Sequence, residues 1–200
     1  MATIRSFDEV MRMICREVAN AVLRYTDVAG QISEETVPGL VMPESFAPAF
    51  VFDKIGSELT MTLETNVNTL WKYNQAARGS NEPAPERLRN QRVDLVLYQG
   101  NSPKKDEQEL FALIEFKLLT LDLRDREKLR NILNDIDTCP NGAICSVLKS
   151  DLDLLLEEKQ AIADGDHWYR YDVPALPHSN TERFSVCARA FQRRPQSHQK

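Results

Sequence analysis

Phe111-Ala112-Leu113-Ile114-Glu115-Phe116-Lys117-Leu118 is the stretch whose reading decides the fold. Its apolar content on both faces predicts a central strand covered on both sides, yet it carries two charges. With a period of two, Ala112, Ile114, Phe116 and Leu118 share one face, and Leu113, Glu115 and Lys117 share the other. A charge flanked by core residues is costly to desolvate unless it is paired or bound to a metal, so this placement marks a candidate site.

Upstream, Arg92-Val93-Asp94-Leu95-Val96-Leu97-Tyr98 reads as a second strand. Val93, Leu95 and Leu97 form its apolar face, with Arg92, Asp94, Val96 and Tyr98 opposite. The segment from Gln99 to Gln108 is rich in turn formers and charge and predicts an antiparallel hairpin. A loop centred near Lys104 sets Asp94 opposite Glu115. Like charges directly opposed destabilise a sheet, with pair terms of roughly 0.2–1 kcal/mol, so this register makes sense with a cation between them. Oxygen ligands suit Mg²⁺ or Mn²⁺.

Asp94, a hairpin and then Glu115-Phe116-Lys117 resemble the D…E-x-K signature of the PD-(D/E)XK nuclease superfamily, over residues 43–150. Val93 departs from the proline that the signature often has, at a tolerant position. The resemblance implies an α/β, restriction-endonuclease-like αβββαβ core with a mixed central sheet flanked by helices. It implies that Asp94 and Glu115 bind one or two divalent metals, that the Phe116 carbonyl helps, and that Lys117 positions or polarises the attacking water. A leading helix often adds a further acid in such proteins. Glu44 is the candidate for that outer ligand or water-orienting base; Glu64 is its rival, and favourable placement at a helix N-terminus is the plain structural account of Glu44.

The activity implied is Mg²⁺-dependent hydrolysis of phosphodiester bonds by metal-activated water, with Mn²⁺ as a possible substitute, DNA as the first substrate and RNA the second. The alternative is a nuclease-like binding or regulatory protein without turnover, acting through a protein or nucleic-acid partner. A third reading is a metal-free module that assembles, for example as a homodimer, through its N-terminal helix. The formal net charge of −5 cuts against strong nucleic-acid binding, which a basic surface usually serves.

Around this centre, Ser6 and Glu9 form a capping box for a helix over 6–26, whose acids Glu9 and Glu17 are expected in solvent. Pro43-Glu44-Ser45 opens a second helix ending before Gly56, with Pro48 expected to kink or delay it. Leu59, Met61 and Leu63 alternate with polar residues, predicting a strand over 58–65. Residues 66–91 contain Trp71 and Tyr73 and then the irregular Gly/Pro-containing stretch 78–85, which is expected to be a mobile surface connection. Arg87, Arg89 and Arg92, close together in sequence, are either phosphate contacts or a solvated run. Leu121 to Ile136 read as a helix from which Lys128 or Arg130 is placed to face the site, and Gly142 to Leu148 as a buried strand joined in parallel. A helix from Ser150-Asp151 through Ile162 and a strand pair around Tyr169–Val173 and Phe184–Cys187 are expected to flank the core.

With 200 residues, 42% of them hydrophobic, and no break in composition, one domain is expected. It divides into an N-terminal helical extension (1–42), the core (43–150), C-terminal decoration (151–192) and a polar tail (193–200). Cys15, Cys139, Cys145 and Cys187 lack C-x-x-C spacing and read as buried free thiols. The lack of a long apolar run or a leader-like N-terminus points to a cytoplasmic protein with no membrane partner.

Overall fold

The computed structural model describes residues 6–32, 42–43, 45–55, 60–99, 109–119, 123–149, 152–174 and 183–193. Helix α1 (Phe7–Ile32) starts at the expected capping box: Glu9 N–H donates to Ser6 Oγ at 3.2 Å and Ser6 N–H to Glu9 Oε2 at 2.8 Å. It runs six residues past the expected end. Glu17 was expected in solvent but is only 8% exposed, held by Asn20 at 3.0 Å and Arg16 at 2.9 Å. α2 (Phe46–Ile55) carries Pro48 in its first turn, where a missing N–H breaks no intrahelical bond. Edge-to-face packing of Tyr25 on Phe46, centroids 5.4 Å apart, joins the two helices.

Then follow β1 (Thr60–Asn66), α3 (Val67–Ala77), β2 (Arg92–Gln99), β3 (Glu109–Leu118), α4 (Leu123–Asp135), β4 (Asn141–Lys149), α5 (Leu152–Ala163), β5 (His167–Asp172) and β6 (Phe184–Gln192). They build a mixed six-stranded sheet in the order β1-β2-β3-β4-β6-β5. β2 and β3 form the expected antiparallel hairpin, and β3 continues through α4 to the parallel strand β4. The other neighbours are antiparallel.

The sequence reading assigned no element to residues 67–77, which form a helix: Val67, Leu70, Trp71 and Asn74 are buried at helical spacing, and Asn66 caps the first turn by accepting from Asn68 N–H at 2.8 Å. β6 is not peripheral decoration, since Phe184 to Phe191 are all buried beside β4 and the sheet edge falls to β5.

Side chains from the two sheet faces feed separate clusters. Leu95, Leu97, Ala112, Ile114 and Phe116 pack with Val10, Ile14, Val18 and Val51 of α1 and α2. Val96, Leu113 and Ile144 pack with Leu70, Leu129, Ile132 and Leu133 of α3 and α4. β3 is thus covered on both faces, as its composition predicts. A bulge opposite Leu97 puts Phe111 beside Ala112 on the first face, where its ring meets Phe7 at 5.9 Å. Val93 also departs from strict alternation and joins the α3–α4 cluster; across from this stretch, Glu64 of β1 has φ +50°, which interrupts the pleat. Gly142 lets α4 lie close on β4, because a Cβ there would stand 2.7 Å from Leu133 Cδ1. Among the described residues no helix is long and apolar enough to cross a membrane.

Candidate active site

The paired run of β2 and β3 ends at Leu95 opposite Ile114, and one further step of the same register sets Asp94 against Glu115. There a side chain takes over from the main-chain ladder: Asp94 Oδ2 accepts the Phe116 N–H at 2.7 Å. In a strand the N–H and C=O of one residue point to the same side, so the Phe116 carbonyl faces the same gap.

Glu115 is 2% exposed. Its Oε1 accepts from Lys128 Nζ of α4 at 2.7 Å, and the same ammonium donates to the Arg92 carbonyl at 3.1 Å. Burial pushes the Glu115 carboxyl from 4.5 up to about 7; the Lys128 bond opposes that rise, the Asp94 charge adds to it, and the Lys128 and Lys117 charges oppose it. Lys117 lies on the same strand two residues on, half-buried, with Nζ 3.7 Å from Asp125 Oδ2 of α4. Beside it across the β3–β4 pair, Ser146 is fully buried and its Oγ has no hydrogen-bond partner among the described residues.

Three of the sequence candidates, Asp94, Glu115 and Lys117, therefore meet at one end of the sheet together with the Phe116 backbone. Glu44 lies outside the described residues. Glu64 is exposed on β1 at the register position across from Asp94, between the pairs Leu63–Leu95 and Thr65–Val93. Arg87 is paired with Asp135 at 2.5 and 3.0 Å. Arg89 lines a cleft of about 500 Å³ with Asn66, Asn68, Lys72 and Asn90, at the end of the sheet where β1 stops and β2 starts. The four cysteines are buried and free, and burial raises the Cys139 and Cys187 thiols to about 12. His167 is exposed.

Sequence reading missed what holds α4 against this site. Arg189 of β6 is 2% exposed and donates to Asp166 Oδ2 at 2.6 Å and to Asp164, in the turn after α5. Arg126 and Arg130 of α4 reach Asp166 at 2.7 Å each. The signal was one arginine inside the otherwise small and apolar run Val186-Cys187-Ala188-Arg189-Ala190-Phe191. On α4, Asp125 and Lys128 thus turn to the β3 site, and Arg126 and Arg130 to the aspartates.

A divalent ion fits this donor set. The Asp94 and Glu115 carboxylates and the Phe116 carbonyl supply hard oxygens only, and Mg²⁺ is commonly held by one or two carboxylates with water completing its shell. Among the described residues no group of three or more His, Cys, Asp or Glu gathers here, so backbone, water and substrate oxygens would fill the remaining positions. No family model, curated protein or solved structure matches the chain significantly.

Proposed function

We propose that this chain is a Mg²⁺- or Mn²⁺-dependent nuclease of the PD-(D/E)XK type, acting on phosphodiester bonds of DNA first and RNA second. The single observation carrying this reading is the Asp94–Glu115 juxtaposition where the β2–β3 ladder ends, with Lys117 on the same face two residues on. The chain path supports it: a leading helix, three antiparallel strands, a crossover helix and a parallel strand follow the αβββαβ order, with α3 inserted.

Asp94, Glu115 and the Phe116 carbonyl would hold the ion. Bound there, the ion supplies charge neutralisation at the phosphodiester and a lowered pKa for water. Asp94 also fixes the β3 backbone through Phe116 N–H, so the two carboxylates keep their spacing. Lys117 Nζ stands 3.7 Å from Asp125 Oδ2 of α4. Its ammonium would orient water toward phosphorus and stabilise negative charge on the equatorial oxygens.

A second reading, a nuclease-like binding protein without turnover, is favoured by one feature: Lys128 already neutralises Glu115. Cleavage of labelled single- and double-stranded DNA and RNA with Mg²⁺, Mn²⁺ or EDTA separates the two. Cutting that needs metal and disappears in folded Asp94→Asn and Lys117→Ala supports the nuclease. Absence of cutting by the well-folded native chain on all four substrates supports the binding protein.

A further inference from the structure

We infer that Lys128 is a built-in counter-ion for Glu115, which a divalent metal must displace to occupy the Asp94–Glu115 site, so that this lysine sets the metal affinity of the centre. The inference rests on the metal-site reading above and deepens it.

Geometry carries the case. Lys128 reaches from α4 into the place where β2 and β3 part, 2.7 Å from Glu115 Oε1 and 3.1 Å from the Arg92 carbonyl, two residues before Asp94. Glu115 is nearly fully buried beside a second carboxylate. A carboxylate so placed needs a cation close by or must take up a proton. In the metal-free chain, Lys128 is the cation that stands against Glu115 when it is ionised.

An ammonium and a divalent ion on the same carboxylate repel one another strongly at such separations, so both do not stay. The lysine has a way out, since its side chain is 29% exposed while that of Glu115 is 3%. Its helix does not have to move. α4 is fastened elsewhere, by Arg126 and Arg130 on the aspartates after α5 and by buried Leu129, Ile132 and Leu133. Displacement is therefore a swing of one side chain toward solvent. The consequence is a site that stays folded and charge-compensated without metal and loads only when the metal is concentrated enough to win the exchange.

The test is calorimetric titration of the whole chain with Mn²⁺ and with Ca²⁺, at mildly alkaline pH where Glu115 is ionised, comparing native, Lys128→Met and Lys128→Arg. Met keeps the length and the packing of the stem without the charge, and its dissociation constant is expected to fall by roughly tenfold or more; Arg is expected to stay near native. Equal or weaker binding by Lys128→Met overturns the inference and leaves the metal site standing. Absence of binding in all three overturns the inference and the metal-site reading together. A measurement on the native chain guards against a variant that fails to fold: acylation of Lys128, followed by mass spectrometry, is expected to speed up on adding Ca²⁺ and not on adding K⁺ at equal ionic strength. Unchanged acylation in saturating Ca²⁺ also overturns the displacement.

Discussion

Asp94 Oδ2 accepts the backbone N–H of Phe116 at 2.7 Å, so the first carboxylate of the site also serves as a clamp on the strand that carries the second. Asparagine keeps a carbonyl acceptor for this N–H and removes the charge that opposes Glu115. Asp94→Asn is therefore expected to match or exceed native stability while losing divalent-ion binding. Asp94→Ala leaves the Phe116 N–H without its partner and should cost roughly 1–3 kcal/mol. Urea denaturation of the two variants checks the contrast; equal losses would deny the clamp.

Burial of Glu115 makes stability depend on pH in an unusual direction. Its folded pKa, about 7, lies above the ordinary 4.5, so the folded chain holds this proton more tightly than the unfolded chain does. Below pH 4.5 the group is protonated in both states and costs nothing; its contribution is lost as pH rises through 7, by roughly 3 kcal/mol. Glu115→Gln should remove this dependence. Its stability relative to native is expected to climb between pH 4.5 and 7 and then level off, and a difference that does not vary with pH would contradict the buried-carboxylate account.

Asp166 stands at the centre of three arginines, and its side chain is 1% exposed. Removing it leaves Arg189 buried with only Asp164 and releases the hold of Arg126 and Arg130 on α4. Asp166→Ala is expected to cost about 3 kcal/mol or more. Arg189→Met should cost less, because Asp166 keeps two guanidinium partners and Met fills part of the volume. Chemical denaturation ranks the pair, and the reverse order would show that Arg189 rather than Asp166 organises the cluster.

Gly142 governs how near α4 lies to β4. An added Cβ meets Leu133 at 2.7 Å and Phe191 at 3.0 Å, both inside the packed core. Gly142→Ala is expected to destabilise by roughly 1–3 kcal/mol through overpacking. By shifting α4 it should also lengthen the Lys128–Glu115 contact, which the Lys128 acylation rate reads directly. A neutral substitution in both measurements would mean that α4 has slack.

What was legible in the sequence was local. Alternation in Arg92–Tyr98 and Phe111–Leu118 determined two strands, turn chemistry between them determined an antiparallel hairpin, the two charges on a doubly apolar strand singled out Glu115 and Lys117, and the hairpin set Asp94 against Glu115. Ser6 and Glu9 marked the start of α1 because a capping box is satisfied within four residues. α3 escaped notice although Val67, Leu70 and Trp71 have helical spacing, because the next position of that stripe is polar. Asn74 is buried there only because it accepts from Thr138 N–H at 3.2 Å and donates to the Asp135 carbonyl at 3.4 Å, partners more than sixty residues away.

Tertiary structure alone decided which charges compensate one another. Neither Lys128 nor Arg130 is distinguishable on a helix that is basic on several sides, yet one meets Glu115 and the other Asp166. Likewise β6, late in the chain, enters the sheet beside β4 and brings Arg189 to the turn after α5. The physical reason is range: strand period, caps and turns are settled by neighbours a few residues apart. Pairing of buried charges depends on which distant elements the packed core brings within about 3 Å, and no local pattern encodes that distance.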